Sequence, residues 1–172
     1  MNPILSHAAR TSGRLATLLV AAAVGAACGT TGSTLRVTTA PAGRLGEYAS
    51  VQIVCSAEDE KERGKEYTGR LETQLLVRMK ERETFREYKL STDEGSAELT
   101  LKVVILDMKK AGGYGWYGRS SSKVSCDATL IDTRSKAVVA AISVVARPKH
   151  SNLEAALEDA ATQIADYLRE KR

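Results

Sequence analysis

The alternation of apolar and polar residues along three consecutive segments most constrains how this chain can fold. In 97–105 every second residue is apolar, and the same period recurs in 124–130 and 138–144. A period of two is that of a β-strand with one buried face. Between the second and third segments, Asp132-Thr133-Arg134-Ser135-Lys136 has the composition of a tight turn. We therefore expect three antiparallel strands that share one apolar face.

Two segments around these strands have the period of an amphipathic helix instead. The first carries an apolar residue at every fourth position, at Tyr67, Leu71, Leu75 and Met79. The second follows a capping box, Ser151-Asn152-Leu153-Glu154, and its apolar stripe consists of Leu153, Leu157, Ala160, Ile164 and Leu168. Further strands are predicted near 51–55 and 85–90. This order predicts an α+β fold, a two-layer sandwich in which a largely antiparallel sheet of about five strands carries two helices on one face.

Residues 1–27 have the three parts of a secretory signal peptide. Arg10 and Arg14 make the first part basic, Leu15 to Val24 is apolar, and Gly25-Ala26-Ala27 is a small-residue cleavage site. The apolar part is shorter than the roughly 20 residues that a membrane-spanning helix needs. The sequence therefore predicts an exported protein.

The stretch Val24-Gly25-Ala26-Ala27-Cys28 resembles the lipobox of bacterial lipoproteins. The resemblance implies cleavage before Cys28 and attachment of diacylglycerol to its thiol, with palmitate among the acyl chains. Gly25 stands where the family usually has an aliphatic residue, so an ordinary signal peptidase, which would leave an unlipidated exported stress protein, is the alternative. Gly29 replaces the aspartate that retains enteric lipoproteins in the inner membrane. We therefore expect a lipid anchor on the periplasmic face of the outer membrane.

Composition divides the rest of the chain and excludes one class of partner. Residues 28–47 are rich in Gly, Thr, Ser and Ala, which predicts a lipidated flexible tether, although Leu35 to Thr38 could pair with the sheet. The periplasmic α+β domain is expected at 48–172. Without 1–27 the chain has 23 basic against 21 acidic residues, a formal charge of +2. So small a charge does not steer a polyanion, and we expect no nucleic-acid partner.

Few residues suited to catalysis remain after the signal peptide. His150 is then the one histidine, no metal-ligand spacing occurs, and no nucleophile motif is present. Asp107 and Asp132 end predicted strands, where aspartate usually serves a turn. We predict no enzyme, no cofactor and no metal. The alternative is a glycan-binding or cell-wall-acting enzyme, for which Asp107 is the acid nearest to the aromatic loop described next.

A glycine-rich loop between two strands is the first candidate for binding. Residues 111–119, AGGYGWYGR, hold the one tryptophan of the chain among four glycines. Trp, Tyr and Arg are enriched in binding hot spots, and the candidate contact residues are Tyr114, Trp116, Tyr117 and Arg119. The alternative is that these aromatic side chains fold back onto the sheet.

The sheet face that points away from the helices is the second candidate. Strand parity places there Val104, Leu106, Ile131, Val139 and Val145. Either the tether covers this face or a partner does. We expect Val104 and the aromatic loop to contact another envelope protein, and the chain could also form a homo-oligomer.

Cys55 and Cys126 each lie in an apolar strand pattern. They are either two buried thiols or a disulfide, which would require adjacent strands with Cα atoms within about 7 Å. The sequence favours neither reading.

The order of elements carries a resemblance to small bacterial envelope lipoproteins of unknown function. The segments Ala97-Glu98-Leu99-Thr100-Leu101-Lys102-Val103 and Ala128-Thr129-Leu130-Ile131-Asp132-Thr133-Arg134 are the clearest part of it. The layout is similar to the periplasmic domains of the curli-secretion lipoprotein and of penicillin-binding-protein-activator lipoproteins, and to the amino-terminal part of the Tol translocation propeller protein. The resemblance implies a binding or assembly module without catalytic activity.

Overall fold

Six strands and two long helices build the domain in the computed structural model, which describes residues 32–58, 62–93, 97–111, 121–149 and 152–172. In chain order the elements are β1 (Thr34–Thr39), a 3₁₀ turn (Leu45–Glu47), β2 (Ser50–Ala57), α1 (Glu62–Glu81), β3 (Glu87–Lys89), β4 (Leu99–Lys109), β5 (Lys123–Asp132), β6 (Val138–Ala146) and α2 (Leu153–Glu170). The predicted α+β sandwich is confirmed, with six strands rather than about five.

The sheet has the strand order β1-β6-β5-β4-β2-β3. The half formed by β1, β6, β5 and β4 is antiparallel, as predicted. The other half is parallel, because β2 pairs in parallel with both β4 and β3. Parallel neighbours require a crossover connection, and α1 supplies it between β2 and β3.

Both helices cover the same face of the sheet and contact each other. α1 lies on β2, and α2 lies on β5 and β6. The predicted stripe of α1 is confirmed, since Leu71, Leu75 and Met79 have no exposed surface, and in α2 Ile164 is equally buried. The strand residues that meet the helices are those that the alternation predicts, and burying them removes their apolar surface from water.

A series of ion pairs joins the two helices along their exposed side. The guanidinium of Arg70 lies 2.8 Å from the Glu154 carboxylate. Two further pairs, Arg78 with Glu158 and Arg82 with Asp166, continue the series toward the carboxyl ends of both helices. These carboxylates are about half exposed, so each pair contributes only about 0–1 kcal/mol. The pairs align the helices rather than provide most of the stability.

The folded domain starts earlier than the composition predicts. β1 forms one edge of the sheet by pairing with β6. The chain then crosses the end of the sheet to reach β2, and on the way Leu45 is buried to 1% exposure while its N–H donates to the carbonyl of Lys171, 3.0 Å away. The domain therefore extends back to Gly32 rather than beginning near Tyr48, and 34–47 belongs to it instead of forming a tether.

Two local expectations also need correction. The α2 cap is Asn152, whose Oδ1 accepts the N–H of Ala155 at 2.9 Å, whereas Ser151 lies outside the described residues. The register of β5 and β6 shifts between Leu130 and Ile131. Because of this bulge Val139 packs against the core and does not point away from the helices.

Candidate functional site

Five of the predicted contact or attachment residues lie outside the described part of the chain. They are Cys28 in 1–31, and Tyr114, Trp116, Tyr117 and Arg119 in 112–120. The two ends of the aromatic loop are described. The N–H of Ala111 donates to the Oγ of Ser122 at 3.0 Å, and Ser122 is fully buried. This hydrogen bond holds the start and the end of the loop together at one end of the sheet.

The same end of the sheet receives the chain before β1. We call it the entry edge and define it by Gly32–Ser33, Lys109–Ala111, Ser121–Lys123 and Arg147–Lys149. These segments meet because Thr34 is paired with Val145, and Lys109 with Lys123, in the antiparallel ladders. Lys109, Lys110, Arg147 and Lys149 are exposed there. At the entry edge, the start of the described chain, four positions after Cys28, therefore lies close to the base of the aromatic loop.

Ser33 fixes the chain at the entry edge. Its Oγ donates to the Asp159 carboxylate of α2 at 2.7 Å and accepts the N–H of Arg147, also at 2.7 Å. The preceding Gly32 has φ +113°, and a Cβ on it would lie 3.3 Å from the Arg147 carbonyl oxygen. A side chain there would be strained by the backbone angle. The sequence assigned Ser33 and Gly32 to a linker, and no local motif distinguishes them from one.

The face of the sheet away from the helices, here called the open face, is mixed rather than apolar. Val104 is half-buried on it, between Ser56 of β2 and Asp127 of β5. Leu106, at the register shift of β4, is 43% exposed. Along β5 the face is polar, through Lys123, Ser125, Asp127 and Thr129. The open face is thus partly polar, and its apolar part centres on Val104 in β4.

Cys55 and Cys126, the two cysteines among the described residues, are free thiols on the helix-covered side of the sheet. Cys55 lies in β2 and Cys126 in β5, with β4 between them. Two strand spacings separate them by about 10 Å, which is more than a disulfide allows. Of the two readings left open by the sequence, the structure has two separate thiols, with Cys126 buried and Cys55 half-buried. Burial raises the pKa of Cys126 to about 12, and burial also raises that of Cys55.

These pKa shifts predict that both thiols resist alkylation. At pH 8 a thiol of pKa about 12 is a thiolate in only on the order of 10⁻⁴ of molecules, and the thiolate is the reactive form. We expect iodoacetamide to leave Cys55 and Cys126 unmodified in the folded protein and to modify both in denaturant, as counted by intact mass. Rapid modification of Cys126 in the folded protein would contradict its burial.

The acids near the predicted sites already have structural partners. Asp107 accepts from the Lys123 ammonium at 3.0 Å. Asp132 accepts the N–H of Ser135 at 2.7 Å and its hydroxyl at 2.9 Å, which closes the predicted hairpin. Hydrogen bonds from Ser135 hold the pKa of Asp132 below its usual value. Asp132 thus stabilises the turn, as predicted, whereas Asp107 forms an ion pair with Lys123 on the neighbouring strand β5.

The described residues contain neither a metal-binding cluster nor a membrane-spanning helix. No group of three or more His, Cys, Asp or Glu side chains within the described ranges is placed to hold a metal ion. No helix in that part of the chain is long and apolar enough to cross a bilayer. His150, the one histidine after residue 27, lies outside the described residues.

Comparison with known proteins identifies the fold. No protein-family model matches the sequence, and no curated protein matches it either. Among solved structures, the PelC dodecamer from Paraburkholderia phytofirmans is 16% identical, with a TM-score of 0.59 over 80% of this chain and 97% of that one. Protein XCC0632 from Xanthomonas campestris, of family DUF330, is 16% identical, with a TM-score of 0.51 over 79% of this chain and 89% of that one.

A third structure is a bacterial lipoprotein. Lipoprotein GNA1162 from Neisseria meningitidis is 12% identical, with a TM-score of 0.47 over 71% of this chain and 99% of that one. At such identities the likeness of PelC and XCC0632 shows the fold alone. The resemblance to curli-secretion and penicillin-binding-protein-activator lipoproteins stays a prediction.

Proposed function

We propose that this chain is a lipid-anchored lipoprotein on the periplasmic face of the outer membrane that acts by binding and assembly, without catalysis. Its anchor is the diacylglycerol on Cys28. The partner that we propose is a second copy of the chain. The contact is formed by Val104 on the open face and by four loop residues that follow β4, namely Tyr114, Trp116, Tyr117 and Arg119.

The attachment of the chain at Ser33 is the observation that most supports an anchored domain. Cys28 and Gly32 are only four positions apart, and Ser33 is bound to both Asp159 and Arg147. A tether of twenty residues would let the domain move freely above the membrane. A segment that ends at a fixed serine holds one edge of the domain beside the lipid, so copies in one membrane share an orientation.

Self-assembly is supported by the surfaces that the fold leaves open. In the described residues β1 pairs with β6 on one side and has no strand on its other side. Such an edge strand, or the apolar part of the open face, is where a second copy can add. PelC, which shares the fold, was solved as a dodecamer. For the present chain we propose an assembly of copies and no particular number.

The oligomeric mass of detergent-extracted protein tests this proposal. We expect light scattering to give a multiple of the monomer mass for the wild type. Val104→Glu should shift the protein toward the monomer, because a carboxylate buried at an interface loses its hydration without a partner. Val77→Glu is the matched control, since Val77 is 42% exposed on α1, in the other layer. A monomeric wild type, or an intact assembly in Val104→Glu, would contradict self-assembly through this face.

A further inference from the structure

Four exposed cations of the entry edge have no carboxylate partner among the residues that the structure describes. Lys109 and Lys110 follow one another at the end of β4, while Arg147 and Lys149 follow β6. Within the described residues no carboxylate lies within ion-pair distance of any of the four. Lys123 differs, because it is bound to Asp107. The edge therefore presents uncompensated positive charge.

Most carboxylates at this end of the domain are already bound. Asp107 is held by Lys123, Asp159 by Ser33 and Glu154 by Arg70. Glu58 follows β2, and β4 lies between β2 and the strands next to the chain entry. The acidic residues directly after Glu58 lie outside the described part of the chain. The side of the edge nearest to Gly32 is thus the basic side.

The covalent chain keeps these cations close to Cys28. The backbone of Gly32 lies against Arg147. Four residue steps of at most about 3.6 Å place Cys28 within roughly 14 Å of Gly32. β4 and β6 flank β5, so their ends are about 10 Å apart. All four cations therefore lie within about 25 Å of the attachment point, and they are within a Debye length of the lipid phosphates when the entry edge faces the membrane.

We propose that the basic edge, formed by Lys109, Lys110, Arg147 and Lys149, binds the anionic phospholipid surface to which Cys28 is attached. This inference rests on the proposed lipid anchor. Lysine and arginine near an anionic leaflet are attracted to its phosphates, and a lipid chain combined with a basic patch holds a protein more firmly than either signal alone. In this orientation the basic edge contacts the membrane and the strands run away from the membrane surface. The opposite end of the domain, which contains Leu45, faces the periplasm.

Lysine footprinting of the lipidated protein tests this orientation. The protein is placed in vesicles of phosphatidylcholine alone, or of phosphatidylcholine and phosphatidylglycerol in equal parts, and acetylation of each lysine is measured by mass spectrometry. We expect the reactivity of Lys109, Lys110 and Lys149 to fall about fivefold in the anionic vesicles, as an attraction of about 1 kcal/mol per residue implies. Lys80 and Lys136, at the opposite end, serve as internal controls and should not change. Equal reactivity of Lys109, Lys110 and Lys149 in both vesicles would overturn the inference.

A second experiment does not depend on lipidation. The mature chain carrying Cys28→Ser is floated with the same anionic vesicles, and a neutralised variant adds Lys109→Gln, Lys110→Gln, Arg147→Gln and Lys149→Gln. We expect the neutralised variant to bind at least tenfold more weakly, and high salt to abolish the difference. The matched control loses the same charge at the opposite end, through Lys80→Gln, Arg86→Gln, Arg134→Gln and Lys136→Gln. An equal loss in this control would show attraction by net charge and would overturn the inference.

The two experiments separate failure of the anchor from failure of the basic edge. A protein that carries no lipid but still floats through the four cations would remove the anchor and keep the edge. A lipidated protein with unprotected lysines would keep the anchor and remove the edge.

Discussion

Replacing Leu45 by alanine is expected to lower the free energy of unfolding by about 2–5 kcal/mol. Leu45 is 1% exposed and belongs to the main core cluster. Truncating it removes buried methyl groups and leaves a cavity where the β1–β2 crossing meets the end of α2. Since domains of this kind are stable by only about 5–15 kcal/mol, the loss is a large part of the total. Denaturant unfolding followed by circular dichroism measures it.

The matched control is the same substitution at an exposed leucine. Leu106 is 43% exposed on the open face, so Leu106→Ala should change the stability by less than about 1 kcal/mol. Equal, small effects at both leucines would mean that the segment before Tyr48 is a flexible tether after all. This pair of variants therefore decides where the folded domain begins.

Enlarging Ala160 to leucine is expected to destabilise the domain by about 1–3 kcal/mol. Ala156, Ala160, Ala161 and Ala165 of α2 have no exposed surface. Small side chains let this helix lie close to the sheet and to α1, and a densely packed core has no void for the added carbon atoms. Thermal and denaturant unfolding of the variant should both show the loss.

Ala155→Leu is the control for this second prediction. Ala155 lies on the same helix but is partly exposed, and leucine is nearly as good a helix former as alanine. The control should therefore be close to neutral. If Ala160→Leu were also neutral or stabilising, α2 would not be packed as closely as the structure has it.

The elements with a clear period could be predicted from sequence. The alternation in β4, β5 and β6 and the four-residue stripe of α1 each reflect one buried face, and the structure has those faces where they were expected. β1 and Leu45 are different. The pairing of Leu35 to Thr38 with the sheet was recognised as an alternative to a tether, and β1 confirms it. Burial of Leu45 was not predicted, because it depends on the distant end of α2, which no local pattern reports.

Strand pairing was the other part that sequence could not supply. The pattern of β2 shows that it is a strand, but not that its neighbours are β4 and β3 in parallel. The bulge that turns Val139 toward the core depends on the register with β5. A one-residue shift in register changes the face of the sheet on which a side chain lies. Strand alternation therefore assigned Val104 correctly to the open face and Val139 wrongly.

The candidate site was only partly accessible to sequence reasoning. Val104 could be assigned to the open face from its position in the β4 alternation. The basic edge was not predicted, although Lys109-Lys110 and Arg147-Pro148-Lys149 are visible as basic pairs at strand ends. They become one surface only because β4 and β6 end on the same side of the sheet, next to the chain entry.

The intact mass of protein extracted from bacterial membranes tests the central claim, a lipid anchor on Cys28, most directly. The account predicts a mass equal to residues 28–172 plus a diacylglycerol and acyl chains. It also predicts that Cys28→Ala is lost from membranes washed with high salt, which removes the attraction of the basic edge. The domain should remain folded, because Cys28 lies four positions before Gly32, where the described fold starts. A lipid-free mass, with an amino terminus produced by cleavage at another small residue, would contradict the anchor and the outer-membrane assignment that depends on it.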